Sequence, residues 1–151
     1  MSIAIGSDHA GFRLKEALGA YLRDQGFTVV DVGTFSEERT DYPGFGAAVG
    51  HLVADGEAER GVLVCGSGVG MCIAANKISG IRAAVAHDVE SVRLMRAHND
   101  VQVICFGERI TAADLAISCL ETFLATDFEG GRHAARVNQL RALDQEREGE
   151  V

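Results

Sequence analysis

Residues 62–77, VLVCGSGVGMCIAANK, join an apolar run to a glycine-rich turn and then to a helical pattern. The apolar run ending at Cys65 predicts a strand buried on both faces. Residues 71–78 predict the helix that follows the turn. Strand, turn and helix in this order form the repeating unit of a parallel sheet covered by helices.

Four further apolar runs alternate with helical patterns along the chain. The five predicted strands are residues 3–5, 28–30, 62–65, 83–86 and 101–106. Between the first two strands, Leu14, Leu18 and Leu22 recur at helical spacing. This alternation predicts an α/β fold with a five-stranded, Rossmann-like parallel sheet and helices on both faces.

The chain reads as a single domain over residues 1–151, with no internal repeat, linker or low-complexity segment. One long loop is predicted at residues 33–46, which contain the only proline, Pro43. After Gly130 and Gly131 the pattern predicts a last helix, and residues 141–151 a charged, fraying tail.

Composition excludes several classes of protein. A net charge of −8 argues against a broad nucleic-acid or anionic-membrane surface, although it permits a local cluster that binds an anion. No secretory signal or membrane-spanning run is apparent. The 4 cysteines form no C-x-x-C pair, so we expect reduced thiols and a cytoplasmic protein. No spacing of His, Cys or carboxylate residues predicts a metal site.

The glycine turn after Cys65 has the chemistry of an anion-binding loop. Its backbone N–H groups, at a helix N-terminus beyond a strand end, suit a phosphate or a developing oxyanion. The same donors favour the thiolate of Cys65. Tight packing is the alternative role of such a turn. Met71 breaks the dinucleotide fingerprint, and the Gly-Lys-Ser/Thr of a P-loop does not follow. The first arginine after Cys65 is Arg82, which is too far along the chain for a cysteine phosphatase loop.

Three other clusters carry polar chemistry. Asp8 and His9 follow the first strand and would face Cys65 if the first and third strands are neighbours. The alternative role of Asp8 is to cap the helix that follows. His98 and Asn99 end the fourth helix, where capping is the alternative. Arg132 and Arg136 are four residues apart and suit one phosphate, or else form a solvated helix face.

Several motifs together resemble one known family. SDHAGF, DYPGFG, CGSGVGMCIAANK, GIRAA, HND and GGRHAARV occur in the order and spacing of the type B ribose-5-phosphate isomerases. That family also includes allose-6-phosphate and galactose-6-phosphate isomerases and some enzymes of tetrose phosphates. The resemblance covers residues 3 to about 140.

The resemblance implies a metal-free, cofactor-free aldose–ketose isomerase that works through a cis-enediol. Cys65 would move the proton between C1 and C2, and Ser67 would exchange protons between O1 and O2. His98, with Asp8 nearby, would open the furanose ring. In the family, one branch replaces this cysteine and uses a later glutamate; Cys65 and Met71 place the chain with the cysteine branch.

The resemblance also implies which residues bind the substrate. Backbone N–H groups of the glycine turn would hold the enediolate oxygen; these belong to Gly66, Gly68, Val69 and Gly70. The phosphate would be held by His9, Arg132 and Arg136, and Arg109 matches another binding position. Tyr42 and Asn99 would contact sugar hydroxyls or shape the pocket. The family is an α/β/α sandwich whose sites are shared across a homodimer or a dimer of dimers.

The substrate stays open at this point. Ribose 5-phosphate, an intermediate of the pentose phosphate pathway, is the commonest substrate of the family. Allose 6-phosphate, galactose 6-phosphate and tetrose phosphates have the same reacting carbons, and one carbon more or less discriminates weakly. A non-catalytic sugar-phosphate-binding partner subunit is the alternative from another class. A methyltransferase with Asp31 at the ribose is disfavoured because the glycines follow the wrong strand.

Overall fold

The structure, a computed structural model, describes residues 1–149. The strands are β1 (Ser2–Ser7), β2 (Thr28–Asp31), β3 (Arg60–Cys65), β4 (Ala83–Val85) and β5 (Val103–Gly107). The helices are α1 (Phe12–Asp24), α2 (Tyr42–Ala54), α3 (Val69–Asn76), α4 (Val89–Asn99), α5 (Ala113–Ala125) and α6 (Arg132–Gly149), and one 3₁₀ turn (His9–Gly11) precedes α1. None of the helices in this range has the length and apolar character that crossing a bilayer requires.

The strands form one five-stranded sheet in the order β2-β1-β3-β5-β4, and every pair is parallel. This confirms the predicted parallel sheet. β1 and β3 are neighbours, with Ser7 opposite Val64 at their carboxyl ends. The loops that follow β1 and β3 therefore emerge side by side at one edge of the sheet, as required for a shared site.

Two apolar cores lie on the two faces of the sheet. Ile3 and Ile5 of β1 join the core under α1, α4 and α5, whereas Ala4 joins the core under α2 and α3. Successive strand residues point to opposite faces, so strands covered on both sides must be apolar at nearly every position. The result is the predicted α/β/α sandwich.

The predicted strands differ from the observed ones by at most two residues at either end, and one loop and two helices differ as well. The predicted loop 33–46 is too long, because α2 already begins at Tyr42 with Pro43 in its first turn. Proline fits there, since the first helical residues need no N–H donor. α3 begins at Val69, earlier than predicted. α6 continues through Gly149, so the predicted tail is helical over 141–149, and residues 150–151 lie outside the described part.

The outer edge of β4 is paired with a side chain rather than with a strand. The side-chain amide of Asn76 donates to the carbonyl of Ala83 at 2.9 Å, and its oxygen accepts the Ala83 N–H at 2.8 Å. Asn76 ends α3 and thereby ties this helix to the start of the edge strand. The main-chain groups of Ala83 are satisfied without a sixth strand.

Candidate active site

A cavity of about 410 Å³ opens at the carboxyl ends of β1 and β3. Eight of the predicted site residues line it: Asp8, His9, Tyr42, Cys65, Gly66, Ser67, Gly70 and Arg109. The sheet places them together because β1, β3 and β5 are adjacent and parallel. A groove of similar size, about 420 Å³, lies elsewhere, between β4 and α6. We place the candidate site in the first cavity, because it holds the thiol, the imidazole and the carboxylate.

The glycine turn wraps around the sulfur of Cys65. The Gly68 N–H donates to Cys65 Sγ at 3.2 Å, and the Val69 N–H donates to Ser67 Oγ at 3.3 Å. Gly68 has a φ of 82°, a conformation that favours glycine. Two of the predicted oxyanion donors are therefore bonded within the turn, and Gly68 and Val69 do not line the cavity. The Gly68 N–H is thus directed at the sulfur of Cys65.

Asp8 and His9 are both held by the backbone around them. Asp8 Oδ1 accepts the N–H groups of Ala10 and Gly11 at 3.0 and 3.1 Å, so the capping alternative is real, and the residue also lines the cavity. The Thr40 N–H donates to His9 Nδ1 at 3.2 Å, and Thr40 Oγ1 accepts the His9 N–H at 3.2 Å. His9 Nδ1 also lies 3.2 Å from the Thr40 carbonyl, so this nitrogen accepts from the Thr40 N–H in one tautomer and donates to that carbonyl in the other.

The rim of the cavity is cationic. The Arg109 guanidinium lies over Gly66, since a Cβ there would be 3.0 Å from Arg109 Nη1. The Tyr42 ring lies against Gly70 in the same way, with Cζ 2.7 Å from a hypothetical Cβ. Arg39 lines the same cavity. Two guanidinium groups in a small cleft suit a phosphate, which each can bind through paired N–H groups.

The other predicted site residues lie at the opposite edge of the sheet. Arg82 directly precedes β4, and its Nε donates to the Asn99 carbonyl at 3.0 Å. Asn99 and His98 at the end of α4 are thus at the amino edge, whereas Cys65 ends β3 at the carboxyl edge. β3 has 6 residues, which at about 3.3 Å per residue separates the edges by roughly 17 Å. Within one chain, His98 and Asp8 therefore lie at opposite edges of the sheet.

His98 meets the start of α6. Its ring stacks on that of His133 with centroids 4.1 Å apart and an angle of 10° between the planes. Glu129 Oε2 lies 3.8 Å from Nε2 of each histidine. Burial lowers the pKa of His133, and the neighbouring His98 and Arg132 lower it further. Arg132 and Arg136 are exposed on the same helix, so the predicted residues form two groups, one at each edge.

The remaining cysteines are core or near-core thiols. Cys105 and Cys119 are fully buried, whereas Cys72 is partly exposed on α3. A hydrogen bond with Cys105 lowers the pKa of Cys72 to about 7. The same contact, together with burial, raises the pKa of Cys105 well above its usual range.

Sequence reasoning missed three residues of these two groups. Arg39 lies in the loop before DYPGF, where its cationic side chain was the available signal. His133 adjoins Arg132 in GGRH, and Glu129 precedes the two glycines. The four-residue spacing of Glu129 and His133 was visible in the sequence, but their contact with His98 depends on how α6 packs.

Comparison with known proteins identifies the family. The model of the family described as Ribose/Galactose Isomerase matches residues 3–140. Ribose-5-phosphate isomerase B of Escherichia coli K12 is 47% identical over 145 residues, covering 96% of this chain and 97% of the relative. D-erythrulose-4-phosphate isomerase of Pectobacterium atrosepticum is 41% identical over 141 residues, covering 93% of each.

The fold has an equally close counterpart among solved structures. Ribose-5-phosphate isomerase B of Clostridium thermocellum superposes with a TM-score of 0.96 at 44% identity, covering 97% of this chain and 99% of that one. The family match, the superposition and the near-complete coverage all agree with the resemblance that the sequence motifs indicated. The chain belongs to the ribose/galactose isomerase family and is an aldose–ketose isomerase.

Proposed function

We propose that this protein interconverts ribose 5-phosphate and ribulose 5-phosphate through a cis-enediol, with Cys65 as the base and without a metal ion. The observation that carries the proposal is the setting of Cys65. Its sulfur accepts the Gly68 N–H at 3.2 Å and lines a cavity whose rim holds Arg39 and Arg109. The cavity thus combines a base for a carbon acid with cations for a phosphate.

The chemical step is a proton transfer between adjacent carbons. Cys65 thiolate takes the C2 proton of the open-chain aldose, the electron pair forms the C1–C2 double bond, and the C1 oxygen becomes the enediolate oxygen. Ser67 then exchanges the proton between O1 and O2, and Cys65 returns its proton to C1. A positioned base supplies about 10²–10⁴-fold, so stabilisation of the enediolate must supply the rest.

The phosphate fixes the reacting carbons beside the sulfur. His9 and the two arginines at the rim are the groups of this cavity that suit a dianion. Contacts far from C1 and C2 raise the rate because they position the substrate before the reaction. The net charge of the protein is −8, but the positive charges at the rim of the cavity would attract an anionic substrate locally.

The group at the opposite edge is proposed to serve the site of a second copy of the chain. His98 and Asn99 are roughly 17 Å of sheet away from Cys65 in their own chain, so they act on a sugar only if two chains meet. In a two-fold dimer, each chain gives the same residues to its partner. His98 would then open the ring in a cavity whose Cys65 belongs to the other chain, and Arg132 and Arg136 would reach that phosphate.

The experiment that tests the function is steady-state isomerisation by the purified, chelator-treated protein. Ribose 5-phosphate, allose 6-phosphate, galactose 6-phosphate and D-erythrulose 4-phosphate are offered in parallel. We expect the highest kcat/KM for ribose 5-phosphate, undiminished by the chelator. The relative from Pectobacterium is a D-erythrulose-4-phosphate isomerase. If the protein prefers D-erythrulose 4-phosphate, the proposed mechanism stands and the proposed substrate is wrong. No turnover of any sugar would favour a binding subunit.

A further inference from the structure

Two thiols that do not line the candidate active site contact each other between α3 and β5. The thiols of Cys72 and Cys105 are joined by a hydrogen bond. Cys105 is fully buried in β5, on the face of the sheet that α2 and α3 cover, and Cys72 packs against that core from α3. The proposed isomerisation uses neither of them. Two thiols in contact are the arrangement from which a disulfide can form.

Glycine allows α3 to approach β5 closely. A Cβ on Gly68 would lie only 3.3 Å from the backbone nitrogen of Gly107, at the end of the strand. Cys72 lies one helical turn after Gly68, whose carbonyl accepts the Cys72 N–H at 3.1 Å. Cys105 lies two residues before Gly107. One helical turn and two strand residues cover similar lengths, about 5.4 and 6.6 Å, so the fold sets the two cysteines opposite each other.

The Cys72 thiol is reachable from solvent. The residue is partly exposed and lines a cleft of about 260 Å³ between α3 and the end of α6, together with the cationic residues Lys77 and Arg147. The Asn76 side-chain amide donates to Cys72 Sγ at 3.5 Å. The hydrogen bond with Cys105 lowers the pKa of Cys72 to about 7, so a large fraction of it is thiolate at neutral pH. Accessible thiolates are the form of cysteine that peroxides oxidise.

We propose that hydrogen peroxide oxidises Cys72 and Cys105 to a disulfide within the chain, and that this bond slows isomerisation. The Cys72 thiolate attacks one oxygen of the peroxide, and the O–O bond breaks to give a sulfenic acid on Cys72 and a hydroxide ion. The Cys105 sulfur then attacks the Cys72 sulfur. The S–S bond forms as the S–O bond breaks, and the hydroxyl group leaves with the Cys105 proton as water. Two thiols are oxidised and one peroxide is reduced.

The disulfide would displace α3 rather than β5. A covalent bond holds two sulfurs closer together than a hydrogen bond does, and β5 is held in the sheet between β3 and β4. α3 must therefore move towards the sheet, and its N-cap residue Gly68, which donates to Cys65 Sγ, moves with it. Because a displacement of about 1 Å can cost about 100-fold in rate, we expect kcat to fall by about 10–100-fold in the oxidised protein.

Peptide mass spectrometry of the full-length protein after treatment with hydrogen peroxide tests the disulfide without any substrate. Free thiols are blocked before digestion, so that disulfides do not exchange. Trypsin leaves Cys72 in the peptide 61–77 and Cys105 in the peptide 97–109. We expect these two peptides to be joined, and dithiothreitol to separate them. Cys72→Ala should yield no joined peptides, and a melting curve like that of the reduced wild type establishes that this variant is folded.

The peptide 61–77 also contains Cys65, which is the alternative partner of Cys105. Cys65→Ala should therefore still yield the joined peptides. Cys119→Ala, at a buried thiol on the other side of the sheet, is the matched control and should yield them as wild type does. Joined peptides in Cys72→Ala, their loss in Cys65→Ala, or oxidation of wild-type Cys72 to a sulfinic acid beside a free Cys105 would each overturn the proposal.

The effect on the rate rests on the proposed function, whereas the formation of the disulfide does not. In wild type, kcat should fall as the joined peptides accumulate and should recover with dithiothreitol, and Cys72→Ala should lose activity more slowly in the same peroxide. Equal rates of inactivation for the two proteins would disprove the effect on the rate. A reduced protein that turns over no sugar would disprove the proposed function, and the mass spectra would still decide whether the disulfide forms.

Discussion

The Gly68 N–H donates a hydrogen bond to the Cys65 sulfur at 3.2 Å, in the turn between β3 and α3. The pairing directs a backbone donor at the atom that we propose to be the base. It also explains why the turn needs glycine, since Gly68 has a φ of 82°.

Cys65→Ala removes the proposed base and little else. We expect kcat to fall by at least about 10²–10⁴-fold, the contribution of a positioned base, while the Kd for ribose 5-phosphate changes little. Cys119→Ala, on the other side of the sheet, is the matched control and should keep its kcat. A kcat within a few-fold of wild type for Cys65→Ala would contradict the proton-transfer role.

A mixture of two inactive variants tests the shared site. Cys65→Ala and His98→Gln are each expected to be inactive as homodimers, because each dimer lacks one group at both sites. After unfolding and refolding together in equal amounts, half of the dimers are mixed and one of their two sites is intact. We therefore expect about a quarter of the wild-type activity. Absence of any recovery, with mixed dimers verified by mass spectrometry, would place both residues in one chain's site.

Arg39→Gln tests the residue that the sequence did not indicate. A charge-assisted hydrogen bond to the phosphate is worth about 1.5–3 kcal/mol, so KM should rise about 10-fold or more with a smaller change in kcat. Arg23→Gln, at an exposed residue of α1 away from the cavity, should leave KM unchanged. Equal KM values for the two variants would remove Arg39 from the substrate site.

Cys72 should be alkylated at lower pH than the buried thiols. Its pKa of about 7 follows from the hydrogen bond with Cys105, and the reactive form is the thiolate. The rate of modification by iodoacetamide at Cys72, followed by peptide mass spectrometry, should therefore rise through pH 7. Cys105 and Cys119, whose pKa values are raised, serve as internal controls and should remain unmodified at neutral pH. A Cys72 rate that rises only above about pH 8.5, the ordinary thiol pKa, would contradict this.

The ammonium of Lys15 is fully buried and lies 2.7 Å from Asp31 Oδ2. Asp31→Asn leaves that charge without its main partner, so the free energy of unfolding should fall by about 3–5 kcal/mol in urea denaturation. Arg13→Met breaks the ion pair between Arg13 and Glu37. Their side chains are 79% and 53% exposed, so solvent screens the pair and its loss should cost much less. Similar losses for both variants would show that burial of Lys15 does not decide the cost.

The sequence predicts the sheet well because its strands are covered on both faces. Burial on both faces makes runs such as 62–65 apolar throughout, and the glycines after Cys65 mark where the strand must end. The start of α2 is less readable. Pro43 and two nearby glycines suggest a loop, yet proline also fits the first turn of a helix, and packing against α3 decides between these structures.

Only part of the arrangement of the candidate site was predictable from the sequence. Asp8 and Cys65 come together because they end adjacent strands, a relation that the alternation of elements already indicates. His98 ends a helix, and a helix that follows a strand returns to the amino edge, so its distance from Cys65 follows from topology. Its stacking with His133 does not, since the contact joins α4 to α6 through side-chain packing.

The bond between Asn76 and Ala83 limits how copies of this chain can associate. An unpaired edge strand normally recruits the backbone of another molecule, which leads to open-ended fibres. At β4 the Asn76 amide already occupies both main-chain groups of Ala83, and the strand has only 3 residues. Growth of the sheet from one chain into the next is therefore blocked at Ala83. A second copy of the chain that approached this edge would meet the Asn76 side chain there instead of free main-chain groups of Ala83.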